Sequence, residues 1–154
     1  MEHVLTFEIH LHDLIVEHGN GIQQLLAPAG FGKTSFTTAI DSYAATHKCD
    51  MNNHMGYKVL QIYFEDDDVD ITRKHYSRIT QTEARFMKRL DKPERDEITE
   101  LLNNHPDKEL LRQNLRLKHF KTGTKSASDI EIFVKRLINS GFKPDLISID
   151  YFEC

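Results

Sequence analysis

The alternation of apolar and polar residues divides the chain into strand-like and helix-like segments. Residues 21–27, GIQQLLA, form a short apolar run that ends in a glycine-rich turn. From Lys33 to about His47, the residues Phe36, Ala39, Ile40, Tyr43 and Ala44 recur at helical spacing, which predicts a helix with one apolar stripe. Residues 57–64, YKVLQIYF, read as a β-rich run ending in the acidic EDDD, and residues 51–57 as the loop leading into it. A mostly helical stretch follows over about 69–91, with a turn-like TQT at 80–82. Pro93 suits the first turn of a further helix to about Asn103, and Pro106 opens another that ends near Asn114. LRLKHF, residues 115–120, alternates apolar and basic positions as a half-buried strand does. SDIE, Ser128 to Glu131, has the form of a capping box. Behind it Ile130, Phe133, Val134, Leu137 and Ile138 make one apolar stripe, which Gly141 stops. DLISID, residues 145–150, is a short, nearly continuous apolar strand that ends in an aspartate.

Strands and helices therefore alternate, which predicts an α/β domain with a mainly parallel sheet flanked by helices. In such sheets ligands bind beyond the carboxyl ends of the strands. The glycine-rich turn, Glu65 and Asp150 all fall at such ends.

Composition narrows the possibilities only a little. The chain has 154 residues, enough for one ordinary domain, with 39% hydrophobic and 29% charged residues. No apolar run approaches the roughly 20 residues of a membrane span. The first residues mix acids and histidines with apolar side chains, unlike a signal peptide. Two distant cysteines, Cys49 and Cys154, suit a reducing compartment. A cytoplasmic protein without a membrane partner is the expectation. The net charge of −4 does not by itself announce nucleic-acid binding, although a local basic face is compatible with it.

Three positions carry chemistry. Ala27 to Thr34 reads APAGFGKT, which matches the phosphate-loop pattern G-x-x-x-x-G-K-[ST] except at its first glycine. Glycines let backbone N–H groups line a small anion-binding bowl, with the positive end of a helix behind it. Lys33 would contact the β- and γ-phosphates and the Thr34 hydroxyl would hold Mg²⁺. The alternative is an ordinary strand-to-helix turn, which the apolar strand before and the helical pattern after disfavour. Asp150 is either a solvated strand-end carboxylate or a second Mg²⁺ contact, and the loop upstream favours the second. Glu65 could orient and deprotonate an attacking water. Equally, EDDD could be a solvated acidic run, and Asp66, Asp67 and Asp68 are read as solvated.

LLAPAGFGKTSF, VLQIYFED, LRLKHFKTGTKSASDIEIFVKRL and FKPDLISIDYFE together resemble the ATPase domain of DnaB-type replicative DNA helicases, in the version carried by bacteriophages. Alanine at the first loop position, glutamate after the second strand and tyrosine after the strand-end aspartate (Asp150-Tyr151) are the shared details. The resemblance implies a RecA-like phosphate-loop NTPase fold over residues 19–154, after a lead-in segment of residues 1–18. It implies that Ala29, Gly30, Phe31, Gly32, Lys33, Thr34 and Ser35 bind ATP, that Thr34 and Asp150 serve Mg²⁺, and that Glu65 is the general base. ATP hydrolysis would drive movement along single-stranded DNA in a homo-hexamer. The family's further C-terminal strands, DNA-binding loops and arginine finger have no counterpart before Cys154, so weak or absent ATPase activity is expected of these residues alone.

Other readings are open. The same loop and strand order could serve a RecA-like recombinase or regulatory ATPase, a small-molecule kinase, or an inactive fragment. A kinase needs a mobile lid, and no segment with a clear arginine cluster suggests one. His10 and His12 would share a strand face as zinc ligands can, but nothing nearby completes a tetrahedral set. The basic residues 72–95 read as a solvated helix face rather than a DNA-binding surface.

Overall fold

The computed structural model describes residues 32–49, 54–121, 123 and 126–150. The chain divides into two compact units, Met1–Lys33 and Thr34–Cys154. The expected first strand, most of the glycine-rich loop (Ala29, Gly30 and Phe31 among it), the N-terminal histidines and Tyr151 lie outside the described residues.

The second unit holds a three-stranded parallel sheet. Its strands are β3 (Val59–Tyr63), β4 (Leu115–His119) and β5 (Leu146–Asp150), in the order β4-β3-β5. Val59 pairs with Leu115 on one side and Leu146 on the other, and the register runs unbroken to Tyr63, His119 and Asp150. A pair of two-residue strands precedes it in the chain: β1 (Lys48–Cys49) pairs antiparallel with β2 (His54–Met55). Part of the segment expected to be a plain loop is thus a paired strand.

Helices flank the sheet. They are α1 (Lys33–Thr46), α2 (Asp68–Thr80), α3 (Ala84–Met87), α4 (Lys92–Asn104), α5 (Asp107–Asn114) and α6 (Ala127–Asn139). Among the described residues, no helix is long and apolar enough to cross a membrane.

Side chains along a strand alternate between faces, so β3, buried at every position, must supply two interiors. Leu60 and Ile62 face one side, where they cluster with Phe64, Phe120 and Ile130, and with Phe133, Val134 and Leu137 of α6. Val59 faces the other, against Ala44 and Ala45 of α1 and Leu111 of α5. Each of the larger apolar side chains contributes roughly 1.5–3 kcal/mol on burial.

Helix ends are defined by local chemistry. Asp67 caps α2, its carboxylate accepting the Asp70 N–H at 2.7 Å. Gln81, in left-handed conformation, ends that helix inside the predicted TQT turn. Asp91 and Glu94 form a capping box ahead of α4. The box before α6 is Ser126 with Asp129, not Ser128 with Glu131. The helix starts two residues before the SDIE reading places it, and an aspartate at the third helical position reaches back as well as a glutamate does. Ile138 on the same helix is exposed, so the packed stripe is narrower than its spacing predicts.

One junction leaves no room for a side chain. Asn114, at the end of α5, donates from Nδ2 to the carbonyls of Ala45 (3.0 Å) and Met55 (2.9 Å). Gly56 sits beside this contact with φ +82°, and a β-carbon there would lie 2.1 Å from the Ala45 oxygen. Gly56→Ala is expected to destabilise the unit by at least ~2 kcal/mol in urea denaturation, because both sterics and backbone conformation oppose it. Ser126→Ala is expected to cost about 1 kcal/mol and Ser128→Ala less than about 0.5 kcal/mol, which the same measurement distinguishes.

Candidate functional site

The register aligns Tyr63, His119 and Asp150 in one row across the carboxyl end of the sheet. Helix α1 runs antiparallel to the strands on one face. Its Ala44 and Ala45 lie over Val59, at the start of β3, while Thr38, nearer the helix N-terminus, reaches Gln61 at the centre of the strand. Thr34, in the first turn of the helix, therefore lies toward the same end of the sheet as Asp150. Ser148 hydrogen-bonds to Asp41 of α1, which puts the side chains of Ser148 and, two residues on, Asp150 on the α1 face.

Between α1 and the sheet lies a buried polar layer. The Gln61 Nε2 donates to the Thr38 hydroxyl at 3.3 Å, and Gln61 Oε1 lies 2.8 Å from His75 Nε2. With the amide oriented this way, His75 Nε2 carries the proton, and Nδ1 accepts from the Ser42 hydroxyl at 2.6 Å. The neutral ring is required here. Burial, helped by the charge of Arg78, pulls the His75 pKa down to about 4. On the β5 side the Ser148 hydroxyl donates to Asp41 Oδ2 at 2.5 Å, and among the described residues Asp41 Oδ1 has no hydrogen-bond partner. Burial pushes the Asp41 carboxyl up to about 8; the Ser148 hydrogen bond opposes the rise and the charge of Asp150 adds to it.

Sequence reasoning missed this layer and misplaced the packed side of α1. Of the stripe Phe36, Ala39, Ile40, Tyr43 and Ala44, Ala44 alone is fully buried; the other buried positions are Thr38, Asp41, Ser42 and Ala45. A polar Gln61 at the centre of β3 selects a polar helix face. The legible signal was that glutamine inside an otherwise apolar strand.

At the rim, the turn after β3 carries Glu65, whose side chain is exposed. Asp67 and Asp68 are exposed, as expected of a solvated run, and Asp66 is half-buried, but all three are also engaged. Asp66 pairs with Lys74, Asp67 caps α2, and Asp68 accepts from the Tyr63 hydroxyl at 2.5 Å. Burial first, then that contact with Asp68, raises the Tyr63 hydroxyl pKa. The His119 ring stacks on Tyr63 at 5.5 Å and its Nε2 lies 3.3 Å from the Phe64 carbonyl, at the peptide that leads into Glu65.

Gly32 and Lys33 belong to the first unit. Gly32 adopts φ +77°, a conformation that favours glycine, and Lys33 is the first residue of α1. Thr34 and Ser35 occupy the first turn of that helix, Thr34 half-buried and Ser35 exposed. Among the described residues there is no cluster of three or more His, Cys, Asp or Glu able to hold a metal. The hydroxyl of Thr34 and the carboxylate of Asp150 are nevertheless oxygen donors of the type Mg²⁺ takes when phosphates and waters supply its other ligands.

Opposite pH dependences follow for the two buried groups. His75 has a folded pKa below its ordinary 6.5, so its contribution is complete above pH 6.5 and lost as pH falls toward about 4. Asp41 has a folded pKa above its ordinary 3.8, so its contribution is complete below pH 3.8 and lost as pH rises toward about 8. Relative to Asp41→Asn, the wild type is expected to lose on the order of 1 kcal/mol of stability per pH unit as pH rises toward 8. Relative to His75→Gln, it is expected to lose stability as pH falls below 6.5. Urea denaturation from roughly pH 4 to 8.5 checks both slopes.

No family model matches the chain, and neither a characterised protein nor a solved structure matches it.

Proposed function

We propose that the chain is the ATP-binding and ATP-hydrolysing domain of a RecA-like phosphate-loop ATPase, of the kind that drives a replicative DNA helicase along single-stranded DNA as a hexamer. The observation that supports this most is the shared end of the parallel sheet. The first turn of α1, with Thr34, lies toward that end, β5 finishes there at Asp150, and Glu65 stands in the turn after the adjacent strand β3. That is the arrangement in which open α/β sheets bind ligands.

In this reading the loop residues around Gly32 and Lys33 hold the phosphates of ATP, with Lys33 countering their charge. Thr34 and Asp150 hold Mg²⁺, which when bound neutralises charge on the transferring phosphoryl group. Glu65 accepts a proton from the attacking water. Exposure at the rim leaves its carboxylate accessible to water, and the hydrogen bonds of Asp66, Asp67 and Asp68 fix the turn that carries it.

Calorimetric titration with ATP and Mg²⁺ is expected to show binding by the wild type and at least about tenfold weaker binding by Lys33→Ala, since a charged contact to phosphate is removed. Glu65→Gln is expected to bind normally and to lose about 10²–10⁴-fold of whatever hydrolysis the wild type performs. Turnover near the wild-type rate in Glu65→Gln would remove that residue from the mechanism.

A further inference from the structure

The Asp41–Ser148 hydrogen bond stands apart from the rest of the polar layer. Thr38, Ser42, Gln61 and His75 satisfy one another, whereas Asp41 is fully buried, takes one hydrogen bond from Ser148 at 2.5 Å and leaves Oδ1 without a partner among the described residues. An unsatisfied buried oxygen opposes folding, and an apolar side chain would pack in its place without that penalty. Its position suggests what it does. Thr34, Thr38 and Asp41 recur along one stripe of α1, with Asp41 two turns, or about 10 Å, beyond Thr34. Ser148 lies two residues, or about 7 Å, before Asp150 on the same face of β5. Helix and strand run in opposite directions, so both Thr34 and Asp150 lie beyond the hydrogen bond toward the same end of the sheet.

We propose that Asp41 and Ser148 are positioning residues for a divalent cation: their hydrogen bond ties α1 to β5 and so sets the distance between the Thr34 hydroxyl and the Asp150 carboxylate. The inference rests on the nucleotide reading above and adds to it the buried pair that tunes the cation's affinity. Neither residue touches the cation. The pair acts by holding two ligand-bearing elements in register, which a loose helix–strand contact would allow to slide.

The test is calorimetric titration of the full chain with ATP, once with Mg²⁺ and once with EDTA. The wild type is expected to bind more tightly with Mg²⁺. Ser148→Ala and Asp41→Leu are expected to lose about tenfold of that gain while affinity in EDTA stays within about twofold, the behaviour of residues that support metal ligands. Ser148→Thr, which keeps the hydroxyl, and Asp41→Asn, which keeps an acceptor oxygen, are expected to restore it. Ser148→Ala removes a single hydroxyl from a half-buried position, so it remains informative if Asp41→Leu fails to fold. An unchanged Mg²⁺ gain in Ser148→Ala, or an equal fall with and without the cation, overturns this inference alone. Absence of nucleotide binding by the folded wild type overturns the nucleotide reading and this inference together.

Discussion

Burying Gln61 at the centre of the middle strand constrains everything packed around it. β3 is covered on both faces and paired on both edges, so the amide cannot reach bulk water. Each of its polar atoms must find a partner or oppose folding by about 1–3 kcal/mol. Thr38 and His75 supply those partners, and Ser42 then satisfies the far side of the imidazole. One glutamine thereby selects which face of α1 points inward, which rotation of α2 is allowed, and which tautomer of His75 the interior accepts.

The two sides of the sheet are consequently different materials. Toward α6 the interior is apolar, and Leu60, Ile62, Phe64, Phe120 and Ile130 pack by shape alone. Toward α1 and α2 the apolar packing of Val59 against Ala44, Ala45 and Leu111 gives way, further along the strands, to a hydrogen-bonded layer with titrating groups, directional and sensitive to pH. The polar layer lies directly beneath the carboxyl end of the sheet, where Tyr63, His119 and Asp150 form a row and where Glu65 emerges. A directional layer in that place holds the rim in one geometry; an oily one would allow helix and strand to slide. The same property suits a site whose chemistry depends on the spacing of oxygen ligands.

Periodicity made the second unit's secondary structure largely legible. The helix after GKT, the helices opened by Pro93 and Pro106, and the strands LRLKH and LISID all occur close to where the pattern puts them. Its errors are instructive. SDIE looked like a capping box because serine and glutamate are spaced correctly, but the cap is Ser126 because Asp129 can reciprocate two residues earlier. LISID looked continuously apolar, yet Ile147 and Ile149 are 42% and 46% exposed, because hydrophobic composition does not say which strand face a helix covers. EDDD is exposed at Glu65, Asp67 and Asp68 as its composition suggests, but its aspartates also cap a helix, pair with Lys74 and take the Tyr63 hydroxyl. Short polar side chains act on whatever backbone or side chain the fold brings near, and sequence spacing does not reveal that.

By itself the sequence determined the alternation of strands and helices, because apolar spacing must follow the helical or strand repeat to build an interior. It also determined the residue types offered at the start of α1 and after β3 and β5: GKT, Glu65 and Asp150. Only the tertiary structure decided that β3 lies between β4 and β5, that α1 turns its polar stripe inward, and that Asp41, Ser42, His75 and Ser148 become interior groups. Those outcomes depend on contacts between residues as far apart as Asp41 and Ser148, and a buried polar atom takes its partner from three-dimensional neighbours rather than from the neighbouring positions in the chain.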